Sequence, residues 1–144
     1  MLKVVDAETP DMILHCGDHK KDCDAVSYVY PDIPLRSVKG NCDRFTPGTE
    51  TDEFTLCDKR FFMTHGHLFG VKNGTEYLIK SAFEHDTDVL LFGHTHIPHY
   101  SVIDDLVVIN PGSMGGAGKS YAVLYIKNGV ISCELKNLNQ NFIV

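Results

Sequence analysis

The chain has 144 residues, 43% of them hydrophobic and 22% charged, a balance typical of a globular protein with a substantial core. We expect one domain over residues 1–144, located in the cytoplasm, because no apolar run reaches membrane-spanning length and no leader sequence opens the chain. The net charge of -6 argues against general binding to nucleic acids. The five irregularly spaced cysteines include no Cys-x-x-Cys pair, which predicts reduced, mostly buried thiols.

The first half of the chain is predicted to alternate strands and helices. Residues 1–10 resemble the last turns of a helix ended by Thr9-Pro10. Apolar runs of strand length follow at residues 12–16, 35–39, 61–64 and 89–92, and helical spacing is found at 22–30 and 75–85. Each of the four strands is followed closely by a glycine and a side chain that can bind metal.

The second half is predicted to be mainly antiparallel. Short strands are expected at residues 99–103, 106–109, 121–126 and 130–135. The turn sequences Asp104-Asp105 and Asn128-Gly129 separate them in pairs. Exposed antiparallel strands would make a homodimer reasonable.

Five side chains at or near strand ends carry metal-binding atoms. They are Asp18, Asn41, His65, His94 and His96. In open α/β sheets such residues converge where strands end, and this mixture of oxygen and nitrogen donors suits divalent transition metals. Two ions roughly 3.5–4 Å apart bind a phosphoryl group, generate hydroxide near neutral pH and stabilise in-line displacement. Taken singly, the His94-Thr95-His96 motif is equally compatible with a solvated loop, Gly17-Asp18 is a weak signal, and an asparagine after glycine, such as Asn41, is more often a turn residue than a ligand. Their order and shared context favour a site.

Five ordered motifs resemble those of the calcineurin-like metallophosphoesterases, in particular the small bacterial and archaeal phosphodiesterases. The motifs are His15-Cys16-Gly17-Asp18, Gly40-Asn41-Cys42-Asp43, Thr64-His65-Gly66-His67, Gly93-His94-Thr95-His96 and Asn110-Pro111-Gly112-Ser113. The resemblance implies an α/β protein, an αββα four-layer sandwich with a two-metal site at one edge of its sheets. It also implies hydrolysis of a small phosphate ester, a phosphodiester, by a metal-bridging hydroxide. From the charge and the absence of a spanning run, we expect no membrane partner and no specific nucleic acid partner.

The resemblance also implies a role for each donor. Asp18 would bridge both ions, and Asn41, His65 and His94 would complete the shell of the second. His96 would bind the first ion. Asp18 and Asn41 would take part in catalysis, together with His67 as a second-shell or substrate-facing residue. Manganese, nickel, iron and zinc all suit these ligands, and we take manganese first.

Two departures from the family pattern put particular roles in doubt: a strong general acid and the binding of the first metal. Cys42 stands where many relatives have a histidine that protonates the leaving group. The family's opening strand, ending in Asp-x-His, is missing before Gly17, and with it the other ligands of the first metal. Three explanations are open: the sequence is part of a longer chain, which we favour; it is a short form that holds the first ion weakly; or it is a non-catalytic scaffold, like the retromer subunit of this fold.

A glycine-rich segment at residues 113–120 ends in Gly-Lys-Ser but does not predict a nucleotide-binding loop. Ser113 occupies the position where that loop needs its first glycine, and a strand rather than a helix is predicted to follow. Relatives often have Pro-Arg here, so Lys119 is a candidate to replace the arginine that would bind the substrate phosphate.

Overall fold

Secondary structure follows the predicted order along residues 1–115 and 119–138, which are the residues that the computed structural model describes. The helices there are α1 (Leu2–Glu8), α2 (Lys21–Val29) and α3 (Glu76–Glu84), with a short 3₁₀ helix at His67–Phe69. The strands there are β1 (Ile13–His15), β2 (Leu35–Ser37), β3 (Thr51–Leu56), β4 (Lys59–Thr64), β5 (Val89–Leu91), β6 (His99–Ile103), β7 (Leu106–Asn110), β8 (Ser120–Lys127) and β9 (Val130–Asn137). All predicted elements are present, with ends that differ by at most two residues.

Strand β3 is the one that the sequence analysis missed. Its sequence includes the acidic pair Asp52-Glu53 and has no continuous apolar run, because it lies at the edge of a sheet where charged residues are common. Asp52 receives two hydrogen bonds of 2.8 Å from the Arg36 guanidinium on β2, and that group also lies 4.4 Å from the centre of the Phe54 ring. This contact joins β3 to a strand of the neighbouring layer.

A five-stranded mixed sheet forms the centre of the fold, in the order β3-β4-β5-β7-β6. Strands β4, β5 and β7 run parallel, while β3 and β6 pair antiparallel at the two edges. The predicted antiparallel pairs β6–β7 and β8–β9 are therefore confirmed, but β7 also lies parallel to β5. The buried segments of the central strands, 61–63, 89–91 and 106–109, are apolar because both faces of this sheet are covered.

The two faces of the central sheet have separate apolar cores. On one face, Phe62, Leu90 and Val108 pack against Leu78 and Ala82 of α3. The other face supplies a second cluster, in which the alternate side chains Phe61, Met63, Val89, Leu91 and Ile109 pack against β1, β8 and β9. Strands β1–β2 and β8–β9 form two separate two-stranded sheets within the described residues.

Helices α1 and α2 cover the outer side of these small sheets, which completes four layers. Val26 of α2 is buried, and Glu8 at the end of α1 accepts a 2.7 Å hydrogen bond from Tyr121 on β8. Lys136, paired with Tyr121 on β9, donates to both Glu8 oxygens at 3.0 and 2.9 Å. The predicted α/β class and αββα sandwich are thus confirmed.

The cysteines are free, and they are less buried than predicted. Only Cys23 is buried, whereas Cys42 and Cys57 lie in exposed turns and Cys16 and Cys133 are partly covered. The prediction of mostly buried thiols was wrong because three of the five lie in loops, and two of these, Cys42 and Cys57, are in exposed turns. Among the helices of residues 1–115 and 119–138, none is long and apolar enough to cross a membrane.

The ion pair between α1 and β9 should contribute measurably to stability. We expect Glu8→Gln to lower the free energy of unfolding by about 1 kcal/mol near neutral pH. The hydrogen bonds from Tyr121 and Lys136 hold the pKa of Glu8 below its ordinary value. The contribution is therefore present above that ordinary pKa and is lost as the pH falls below it.

Urea unfolding at about pH 7 and about pH 3 would measure this contribution. Glu84→Gln is the control, because Glu84 pairs with Lys80 on the exposed surface of α3, where such pairs contribute at most about 0.5 kcal/mol. An equal effect of Glu8→Gln at both pH values would contradict the ionic interaction.

Candidate metal centre

His65 occupies the point where the central sheet meets the layer of small sheets. It follows β4, is 2% exposed, and its Nδ1 lies 2.7 Å from the carbonyl oxygen of Cys16, which follows β1. A carbonyl oxygen only accepts hydrogen bonds, so Nδ1 carries the proton and Nε2 presents a lone pair. The contact between layers therefore orients this ring for binding a metal through Nε2.

Three other predicted donors converge on His65 Nε2. Asp18 Oδ2 lies 3.4 Å away, Asn41 Oδ1 3.2 Å and His94 Nδ1 3.1 Å. Asp18 and Asn41 come from the loops after β1 and β2, whereas His94 follows β5 of the central sheet. The four loops predicted to meet at one edge do meet there.

The donor set fits a divalent ion by its chemistry, and its distances from His65 Nε2 are those of neighbouring ligands, although the side chains do not yet surround a common point. Metal–ligand bonds of about 2.0–2.2 Å place neighbouring donors roughly 3.0–3.5 Å apart, which is the spacing observed around His65. In the side-chain positions of residues 1–115 and 119–138, no group of three or more His, Cys, Asp and Glu residues could hold an ion. The reason is geometric: the donors contact His65 Nε2 itself instead of surrounding a common point, so binding requires them to separate.

The remaining two histidines of the predicted site differ in position. His67 lies beside the cluster, with its ring centre 5.3 Å from that of His65 and 6.0 Å from that of His94. Its Nε2 is 3.8 Å from Glu50 Oε2, and its buried Nδ1 has no hydrogen-bond partner in the described residues. His96 is exposed and makes no hydrogen bond, ion pair or ring contact with the described residues. The structure thus brings His67 to the cluster and leaves His96 outside it.

The loops that carry Asp18 and Asn41 are held together by a residue to which sequence analysis gave no role. Asp43 is 5% exposed and accepts hydrogen bonds from the backbone N–H groups of Lys20, at 3.1 Å, and Gly40, at 3.0 Å. The Cys42 N–H donates to Asp18 Oδ1 at 2.9 Å, which leaves Oδ2 facing His65. A buried carboxylate in a turn has no sequence pattern that distinguishes it from a solvated one, so its role could not be predicted.

Asn110, at the end of β7, fixes the turn that contains His94. It is fully buried, and its Nδ2 donates to the Gly93 carbonyl and to Thr95 Oγ1, both at 3.0 Å. Its Oδ1 accepts from the Gly112 N–H at 2.9 Å. The sequence analysis quoted Asn110 within a motif but gave it no function; its place directly after an apolar strand, as for the other site residues, was the available indication.

The protonation states suit metal binding. Burial lowers the pKa of His65 and of His94, so both imidazoles are neutral at physiological pH. Partial burial raises the pKa of Asp18, but the Cys42 N–H and the nearby His65 outweigh it, and the net pKa lies below its ordinary value. Neutral imidazoles beside an ionised carboxylate are the forms that coordinate a cation.

Comparison with known proteins gives consistent matches. Residues 1–129 match the family model for the calcineurin-like phosphoesterase superfamily domain. The probable metallophosphoesterase YsnB of Bacillus subtilis is 35% identical over 125 residues, which cover 82% of this chain and 70% of YsnB. The phosphodiesterase YfcE of Escherichia coli is 34% identical over 108 residues, 67% of this chain, so the match spans only 54% of YfcE.

Solved structures show the same fold. A Streptococcus pneumoniae protein described as a predicted phosphoesterase aligns with a TM-score of 0.78 and 26% identity, covering 94% of this chain and 79% of that one. Zinc-bound Vps29 of Entamoeba histolytica aligns with a TM-score of 0.70 over 94% of this chain and 87% of its own, at 20% identity. The likeness to Vps29 shows the fold alone.

The close approach of Gly40 to Asp18 should make this glycine irreplaceable. A Cβ at Gly40 would overlap the Asp18 carboxylate and backbone nitrogen. We expect Gly40→Ala to reduce stability by about 1–3 kcal/mol and to weaken binding of Mn²⁺ by displacing Asp18. Denaturant unfolding and calorimetric titration with Mn²⁺ would measure the two effects.

Gly115→Ala is the matched control for this substitution. Neither glycine has a positive φ, and a Cβ at Gly115 would meet only Ser113 Oγ, at 3.9 Å. Its stability and Mn²⁺ affinity should match those of the unmodified protein. Equal effects of the two substitutions would refute the steric role of Gly40.

Proposed function

This chain belongs to the calcineurin-like phosphoesterase superfamily, and we propose that it hydrolyses small phosphodiesters at the Asp18–Asn41–His65–His94 cluster. The observation that carries the proposal is the convergence of the other three side chains within 3.4 Å of His65 Nε2. The phosphodiesterase activity in the name of the relative YfcE supports the choice of diesters.

Family membership implies divalent metal ions as cofactors, and we propose that the four-residue cluster holds one of them. A bound divalent ion supplies positive charge for phosphoryl oxygens and lowers the pKa of water towards neutrality. We propose a second ion bound by Asp18 and His96, which requires His96 to turn inward from its exposed position. Manganese is our first candidate, with nickel, iron and zinc as the others.

The protein's own groups have distinct tasks in this proposal. The Cys42 N–H orients the Asp18 carboxylate, and Asn110 holds the turn of His94. His67 faces the substrate, because it borders the cluster and its Nδ1 is not used by the described residues. Since Cys42 supplies no imidazole, substrates with good leaving groups should react best.

We extend the proposal to the surroundings of the protein. The net charge of -6 supports a small phosphate ester over nucleic acid as substrate, and we propose no membrane partner. Five free thiols support a cytoplasmic location. The edge strand β6, with Tyr100 and Val102 exposed, is the proposed contact of a homodimer.

A non-catalytic scaffold is the second candidate function. The exposed position of His96 favours a scaffold, because one proposed ion then lacks a ligand. The mutual contacts of the other donors also favour it, because in that arrangement they do not hold the other ion. Retention of four converging donors favours the enzyme, since a scaffold has no physical need for them.

Hydrolysis of bis(4-nitrophenyl) phosphate with added Mn²⁺ or Ni²⁺ would test the enzyme. We expect His94→Ala to reduce kcat/KM roughly 100-fold or more, because a direct donor is lost. His99→Ala is the control: His99 is exposed on β6, and among the described residues its side chain bonds only to Ser101 Oγ, at 2.9 Å. Absence of hydrolysis with either metal, or equal activity of the two variants, would refute the proposal.

A further inference from the structure

Lys72 is a lysine near the candidate centre whose side chain has no partner among the described residues. It lies between the 3₁₀ helix and α3, is exposed, and forms no hydrogen bond or ion pair there. Two other lysines near the centre have partners: Lys20 Nζ donates to the Pro47 carbonyl at 2.7 Å, and Lys39 pairs with Glu50 at 3.7 Å.

The backbone before Lys72 is anchored directly beneath the site. Val71 is 4% exposed, and its N–H donates to the Gly66 carbonyl at 3.4 Å. The side chain of Val71 fills the space over Gly66, where an added Cβ would lie 2.9 Å from Val71 Cγ2. Because Gly66 separates His65 from His67, this packing holds the backbone next to Lys72 against the loop that carries both histidines.

The charge of Lys72 acts on two sides of the cluster. Burial lowers the pKa of His94, and Lys72 is the next largest influence in the same direction. The nearby Asp18 raises the pKa of the Cys42 thiol, and Lys72 opposes that rise. These influences accompany the packing of Val71 over Gly66, which places Lys72 next to the loop that carries His65 and His67.

We propose that Lys72 is the cation that binds the phosphoryl oxygens of the substrate, an inference that rests on the proposed hydrolase function. A phosphate ester approaching an acidic protein with net charge -6 needs local positive charge, and the ammonium of Lys72 is flexible and unpaired within the described residues. Lys119, the sequence-based candidate for this task, instead lines a groove with Met1, Leu2 and Leu138.

The test compares Lys72→Gln with Lys72→Arg and with Lys80→Gln. Lys80 is the matched control, an exposed lysine on α3 that pairs with Glu84. We expect Lys72→Gln to raise KM for bis(4-nitrophenyl) phosphate, and the inhibition constant of inorganic phosphate, roughly 10-fold. Lys72→Arg should keep KM and the phosphate inhibition constant close to those of the unmodified protein, and Lys80→Gln should change neither constant.

Metal affinity separates a substrate-binding role from a structural one. Calorimetric titration with Mn²⁺ alone should show equal or tighter binding to Lys72→Gln, because a repelling cation has been removed. Weaker Mn²⁺ binding, or a KM and phosphate inhibition constant equal to those of Lys80→Gln, would overturn the role of Lys72 while leaving the hydrolase function intact.

Failure of the hydrolase function would leave the Lys72 proposal testable. If no diester is hydrolysed, inorganic phosphate is titrated calorimetrically into the Mn²⁺-loaded protein and its Lys72→Gln variant. Weaker phosphate binding by the variant would support Lys72 as an anion-binding group, and equal binding would overturn it.

Discussion

The hydrogen bond between His65 Nδ1 and the Cys16 carbonyl is the contact on which the rest of the site depends. At 2.7 Å it joins the end of β4 to the end of β1, and so joins the central sheet to the neighbouring layer. It fixes the tautomer of a buried imidazole and directs Nε2 towards donors from both layers. A shift of one layer against the other would separate Asp18 and Asn41 from His65 together.

Elements with strong local patterns could be predicted from the sequence. The apolar runs of β4, β5 and β7 are buried on both faces, and the turns Asp104-Asp105 and Asn128-Gly129 use residues that tolerate positive φ. Strand β3 was not predicted because it is positioned by contacts with other segments. It pairs with β4, and Asp52 accepts hydrogen bonds from Arg36.

The residues of the candidate site were likewise predicted only in part from the sequence. The convergence of four donors could be predicted from their positions after strand ends, because each strand end is a local feature of the sequence. These donors are Asp18, Asn41, His65 and His94. Asp43, Asn110 and Lys72 were assigned no function from sequence, because their importance comes from what distant segments place around them. His96 shows the opposite case: a motif neighbour of His94 that the left-handed turn at φ 60° leaves exposed.

The split of the donors between two layers has a mechanical consequence. Asp18 and Asn41 belong to the layer of small sheets, while His65 and His94 belong to the central sheet, so an ion held by all four would cross-link the layers. Binding of such an ion would raise the free energy needed to separate the layers by about 2.7 kcal/mol at a free metal concentration of 100 times Kd. Removal of the metal by a chelator would then lower the stability of the whole sandwich, and metal binding would raise it.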